Sequence, residues 1–119
     1  MENKEFSKQL ECRTKQFAIR IIKLSSNLSI SIETKVVRNQ ITKSGTSIGA
    51  NYREANRSRS RADFKNKIGI CESETSETIY WLEIIEELKW VNNSGFKEII
   101  QEANELLAIF TSIGKKLKL

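Results

Sequence analysis

The chain has 119 residues, 20 Lys and Arg against 15 Asp and Glu for a net charge of +5, two cysteines, no histidine and no proline. At this length a single domain spanning residues 1–119 is expected, able to bury roughly two-thirds of the surface of its unfolded chain without a disulfide or a metal. The missing histidine removes the usual general base, the usual neutral metal ligand and every Ser-His or Cys-His pair, so most hydrolase chemistry is excluded and neither an enzyme nor a cofactor is expected.

Without proline nothing forces a helix to break. Phe6, Leu10, Phe17, Ile21, Leu24 and Leu28 lie on one helical stripe, which predicts a first helix over about residues 4–29. Ser31 or Thr34 can cap a second helix, striped by Val37, Ile41, Ile48, Tyr52 and Ala55 and ending near Arg57. Ser60, with Asp63 three residues on, has the form of a capping box for a third helix over about 61–90, striped by Ile68, Cys71, Thr75, Ile79, Leu82, Ile85 and Leu88. Asn92-Asn93-Ser94-Gly95 is the clearest turn, with Ser94 a candidate cap for a last helix striped by Phe96, Ile99, Ala103, Leu106, Phe110, Ile113 and Leu117.

Four amphipathic helices joined by short connections predict an all-α fold, an up-down-up-down antiparallel four-helix bundle about 33 to 45 Å long. No run of about 18 apolar residues occurs, and the first twenty residues have no signal-peptide core. A cytoplasmic protein with no membrane segment is therefore expected, with Cys12 and Cys71 reduced.

The stretch Ser44 to Asn51 reads as a loop on propensity, since each helical glycine costs about 1 kcal/mol relative to alanine. Yet the apolar stripe passes through it in phase. Gly45 and Gly49 fall on one face, which predicts a helix crossing with close backbone approach. A phosphate-cradling loop is disfavoured, because no strand precedes it and no Gly-Lys-Ser/Thr follows.

Together, Lys43-Ser-Gly-Thr-Ser-Ile-Gly-Ala-Asn51, Glu54-Ala55, Ser60-Arg-Ala-Asp-Phe64 and Glu77-Thr-Ile-Tyr-Trp-Leu82 resemble the 23S rRNA intervening-sequence proteins, the S23 ribosomal protein-like family. The resemblance implies a small four-helix bundle that assembles as a homopentamer, without catalytic residues. A related branch accompanies the reverse transcriptases of diversity-generating retroelements and is linked to nucleic-acid binding. This chain departs from the pattern at Tyr52-Arg53, where two apolar or small residues are usual, and at Ser73, where lysine is frequent.

The charge is unevenly placed. Residues 38–67 carry +6 and residues 68–105 carry −7. Arg53, Arg57, Arg61 and Lys65 recur every four residues, with Arg59 and Lys67 beside them, and would concentrate at the end of the bundle where the second and third helices meet. Arg59 and Arg61 there oppose the positive end of the third helix's dipole, a repulsion that a bound anion relieves. Arginine forks suit phosphate, so these six residues are the candidate nucleic-acid site, RNA above all. Pairing with glutamates of a neighbouring subunit and simple solvation are the alternatives. A second functional class is an interaction scaffold for a polymerase-like partner, such as a reverse transcriptase.

Glu98, Glu102 and Glu105 read as an exposed face of the last helix, and without histidine the carboxylates cannot form a ferritin-like metal site. Tyr80, Trp81 and Trp90 lie in the acidic half, where packing is favoured over base stacking, and Lys115, Lys116 and Lys118 read as a frayed, solvated tail.

Overall fold

In the computed structural model, residues 3–118 are described, and they form four α-helices. These are α1 (Lys4–Ser26), α2 (Ile32–Ala55), α3 (Arg61–Glu87) and α4 (Ser94–Lys116). No strand occurs among the described residues. None of the helices is long and apolar enough to cross a membrane.

Each helix begins at a side-chain cap. Asn3 Oδ1 accepts from Phe6 N, and Ser60 Oγ accepts from Asp63 N. Ser31 is the cap of α2, and it forms a reciprocal box with Thr34: each backbone N–H donates to the other's hydroxyl, at 2.8 and 3.1 Å. At α4 the cap is Asn93, whose Oδ1 accepts from Phe96 N at 3.0 Å, so Ser94 is the first helical residue rather than the cap. The longer amide arm satisfies the same orphan N–H from one position earlier.

The helices end sooner than the apolar stripes suggest. Leu28 is buried from beyond the end of α1. α3 stops at Glu87 because Lys89 takes the left-handed conformation (φ 57°), and the Trp90 N–H donates back to Ile85 O at 3.2 Å. That closure satisfies a terminal carbonyl and turns Trp90 out of the helical line.

The helices pack in a ring, α1 on α2, α2 on α3, α3 on α4 and α4 on α1, in a body 44 × 25 × 21 Å. The core takes Leu10, Phe17, Ile21 and Leu24 from α1, and Val37, Ile41, Ile48, Tyr52 and Ala55 from α2. From α4 it takes every expected stripe position, with Phe110 edge-on to Tyr52 at 5.7 Å. On α3 the expected Ile68, Cys71, Thr75, Leu82 and Ile85 are buried, and so are Phe64 and Thr78, whereas Ile79 is only half-buried and Leu88 is 55% exposed.

The glycine-rich block is helical throughout and serves two neighbours. On its α1 side, a Cβ at Gly45 would lie 2.8 Å from Ile21 Cγ2, and one at Gly49 would lie 3.0 Å from Thr14 Oγ1. On its α3 side, buried Ser44 Oγ accepts from Thr78 Oγ1 at 2.9 Å, and Ser47 Oγ donates to Glu74. The crossing read from the sequence is therefore α1 on α2.

Candidate nucleic-acid interface

Arg53, in the last turn of α2, is exposed, with Nε 3.7 Å from Glu11 Oε1 of α1. Arg57 and Arg59 lie on the five-residue connection 56–60, and both are exposed. Arg61 opens α3, and its Nη2 donates to Lys116 O at 3.4 Å, which brings the end of α4 beside the start of α3. Asp63, three residues into α3, offsets part of the repulsion between the arginines and the helix dipole. Lys65 follows Arg61 by one turn and is exposed. Lys67 departs from this group: it is half-buried and lies roughly 200° around α3 from Lys65.

The structure adds cations that the sequence did not assign to this end. Asn56 Nδ2 donates to Glu11 Oε2 at 2.8 Å, so the start of α1 sits against the end of α2. Lys4, Ser7 and Lys8 of α1 line one cleft with Asn56, Ser58 and Phe64. Asn3 and Phe6 share another with Ile113 and Lys116 of α4. Lys4 and Lys8 therefore join Arg53, Arg57, Arg59, Arg61 and Lys65 at one end, as do Lys115, Lys116 and Lys118, with α4 helical through Lys116 and all three of these lysines exposed. The signal available was the expected bundle topology, which brings the first and last turns of the chain to the same end.

The acidic half is partly neutralised within the chain. Glu102 and Glu105 are not a purely solvated face. Arg13 of α1 donates from Nε and Nη2 to both oxygens of Glu102 at 2.7 Å, and from Nη2 to Glu105 at 2.6 Å. These bonds raise the Arg13 pKa further above its ordinary range. The Gln101 amide and Arg13 hold the Glu105 carboxyl below its ordinary value. Glu72 accepts from Thr111 Oγ1 at 2.8 Å, bridging α3 and α4. Among the described residues no three carboxylates or thiols gather to hold a metal ion.

Both cysteines are free, Cys12 exposed and Cys71 buried; burial pushes the Cys71 thiol up to about 12. Of the aromatic residues in the acidic half, Tyr80 is 55% exposed, with its ring 5.0 Å from that of Trp81. Trp81 and Trp90 pack half-buried against the core.

A four-helix protein with one cationic end is the class that fold and surface define. The family model of the 23S rRNA-intervening sequence proteins matches residues 8–112. The chain belongs to that family. It is also similar to a protein of unknown function from the S23 ribosomal protein family of Bacteroides thetaiotaomicron. That crystal structure superposes with a TM-score of 0.81 at 38% identity, covering 88% of this chain and 97% of that one. No curated protein matches the chain.

Proposed function

We propose that this protein is a non-enzymatic, homo-oligomeric bundle that binds structured RNA or other nucleic acid through the cationic end. The observation that carries this is the convergence of Lys4, Lys8, Arg53, Arg57, Arg59, Arg61, Lys65 and the Lys115–Lys118 turn, against few carboxylates, while Glu102 and Glu105 are engaged by Arg13. Such a surface contacts the phosphate backbone, with low sequence specificity and steep salt dependence.

Up-down-up-down topology is supported by the order in which the helices meet: Glu11 with Asn56 but Ser25 with Thr42, and Ser47 with Glu74 but Ser44 with Thr78. The homopentamer is what membership of the family implies. Exposed Ile22, Ile30, Ile32, Val36 and Leu88 are apolar surface that an assembly or a polypeptide partner can cover.

The test is titration with rRNA fragments across a salt series, on a sample whose mass is fixed by light scattering. Binding is expected to weaken about a thousandfold or more between about 50 and 200 mM salt if six or more phosphates are neutralised. Arg57→Glu with Arg61→Glu should abolish it. Absence of binding at low salt, or indifference to the charge reversal, refutes the reading. Partners retained after nuclease treatment of a lysate would instead favour docking on a protein.

A further inference from the structure

At the far end from the cationic surface, the C-terminal half of α1 and the α3–α4 connection flank an open cleft of about 450 Å³. Its walls carry Arg20 and Lys23 of α1, and Trp90, Asn92 and Asn93 of the connection, with Asn27 between them. Leu24 and Phe96 supply an apolar floor.

Three features define what fits there. Trp90, turned out of α3 by the left-handed Lys89, is half-buried and offers an indole to a planar ring. Neither Arg20 nor Lys23 forms an ion pair within 4.0 Å among the described residues, so both can receive an anion, although Arg20 also lines a neighbouring cleft with Glu98, Glu102 and Glu105. Asn27 Nδ2 donates to Lys23 O and Asn93 Oδ1 accepts from Phe96 N, so the Asn27 amide oxygen and the Asn93 amide NH₂ are the uncommitted polar groups of these two lining residues. Ring face, cations and a mixed donor–acceptor edge are the complement of a base, its phosphate and its hydrogen-bonding edge. Glu98 also lines the cleft and repels a phosphate, which places that group on the α1 side.

We infer that this cleft binds a nucleotide, its base stacked on Trp90 and its phosphate held by Arg20 and Lys23. Although Trp90 lies in the acidic half of the sequence, the fold sets it in a cleft with two cations, Arg20 and Lys23, and one carboxylate, Glu98. The site does not depend on the cationic end and stands or falls separately from it. The nucleotide comes either free in solution or as an unpaired residue of a strand.

The test uses the full chain with Trp81→Phe, so that Trp90 is the one tryptophan left. Its fluorescence is followed on titration with the four nucleoside 5′-monophosphates, with the corresponding nucleosides, and with RNA hairpins bearing either a blunt end or a single-nucleotide overhang. Saturable quenching is expected from at least one monophosphate, weakened about tenfold or more when the phosphate is absent or when Arg20→Gln and Lys23→Gln are combined. Glu98→Gln should tighten binding. Overhang hairpins that outcompete both blunt hairpins and free monophosphates assign the ligand to a strand; free monophosphates at least as tight assign it to solution. The Trp90 indole resonance in the unaltered chain provides the same reading should Trp81→Phe fail to fold. No response to monophosphates or overhangs, or a response undiminished by the Arg20/Lys23 double change, overturns the inference.

Discussion

Gly45 and Gly49 sit where α2 packs tightly on Ile21 and Thr14 of α1, and their cost in helix propensity is offset by packing that a larger residue would disturb. An alanine at Gly45 would press on Ile21, which is wholly buried and branched at Cβ, so relief requires moving core. At Gly49 the obstacle is Thr14, whose hydroxyl is committed to Leu10 O at 2.9 Å and whose backbone carbonyl carbon lies 3.3 Å from the added methyl. Gly69 is also helical, yet a Cβ there meets nothing within 4 Å. Urea denaturation should therefore show Gly45→Ala and Gly49→Ala losing about 1–3 kcal/mol, and Gly69→Ala gaining roughly 0.5–1 kcal/mol. A gain at all three positions would mean that the close approach is not made. The two thiols offer a second check at this scale. Cys12 should react with a disulfide reagent in the native protein, and Cys71, buried and weakly acidic, only on unfolding. Two fast thiols per native chain would contradict the packing of α3.

At the scale of the helices, α1 and α4 are joined by Arg13 gripping Glu102 and Glu105. Glu105 titrates below the ordinary glutamate value of about 4.3, first through the Gln101 amide and then through Arg13. Because the folded value is the lower one, its contribution to stability is complete above the ordinary value and is lost as pH falls through the folded one. A carboxyl titration followed by NMR should place the Glu105 midpoint below that of a peptide glutamate, and Arg13→Gln should raise it part of the way back; a midpoint at or above the peptide value would break the assignment. At the end of α3, Lys89 holds a conformation that costs a side-chain-bearing residue about 1–2 kcal/mol, partly recovered through a stiffer unfolded chain. Lys89→Gly is expected to raise stability by about 1 kcal/mol or less.

The apolar stripes of all four helices could be read from the sequence because burial follows the helical period. The exceptions have physical causes. Thr78 displaces Ile79 from the core because its hydroxyl has Ser44 and Glu74 O to bond, so a polar residue fits the buried step that hydrophobicity alone assigned to its neighbour. The Arg13–Glu102 pair spans 89 positions and leaves no local trace in the sequence. The early stop of α3 at a lysine in a glycine conformation contradicts propensity.

For the whole molecule, the sequence separated a +6 segment from a −7 segment, but only the fold adds the first turns of α1 and the last turn of α4 to the cationic side. Lys115→Gln, Lys116→Gln and Lys118→Gln together are therefore expected to weaken nucleic-acid binding and to shallow its salt slope, by about one for each phosphate that is no longer neutralised. An unchanged slope would confine the interface to the α2–α3 connection. Lys67, half-buried and on another side of α3, should have little effect when changed alone.

The ring of helices is not uniform. α2 is held from both sides by the Ser44–Gly49 block, whereas the seam between α1 and α4 is the most thinly packed of the four. A cylinder with one thin seam opens along it, and Arg13 is the clasp across that line. Amide exchange should follow this order, with α2 the last to give up its protons and α4 among the first. Loss of the clasp should speed exchange in α4 while leaving α2 unchanged.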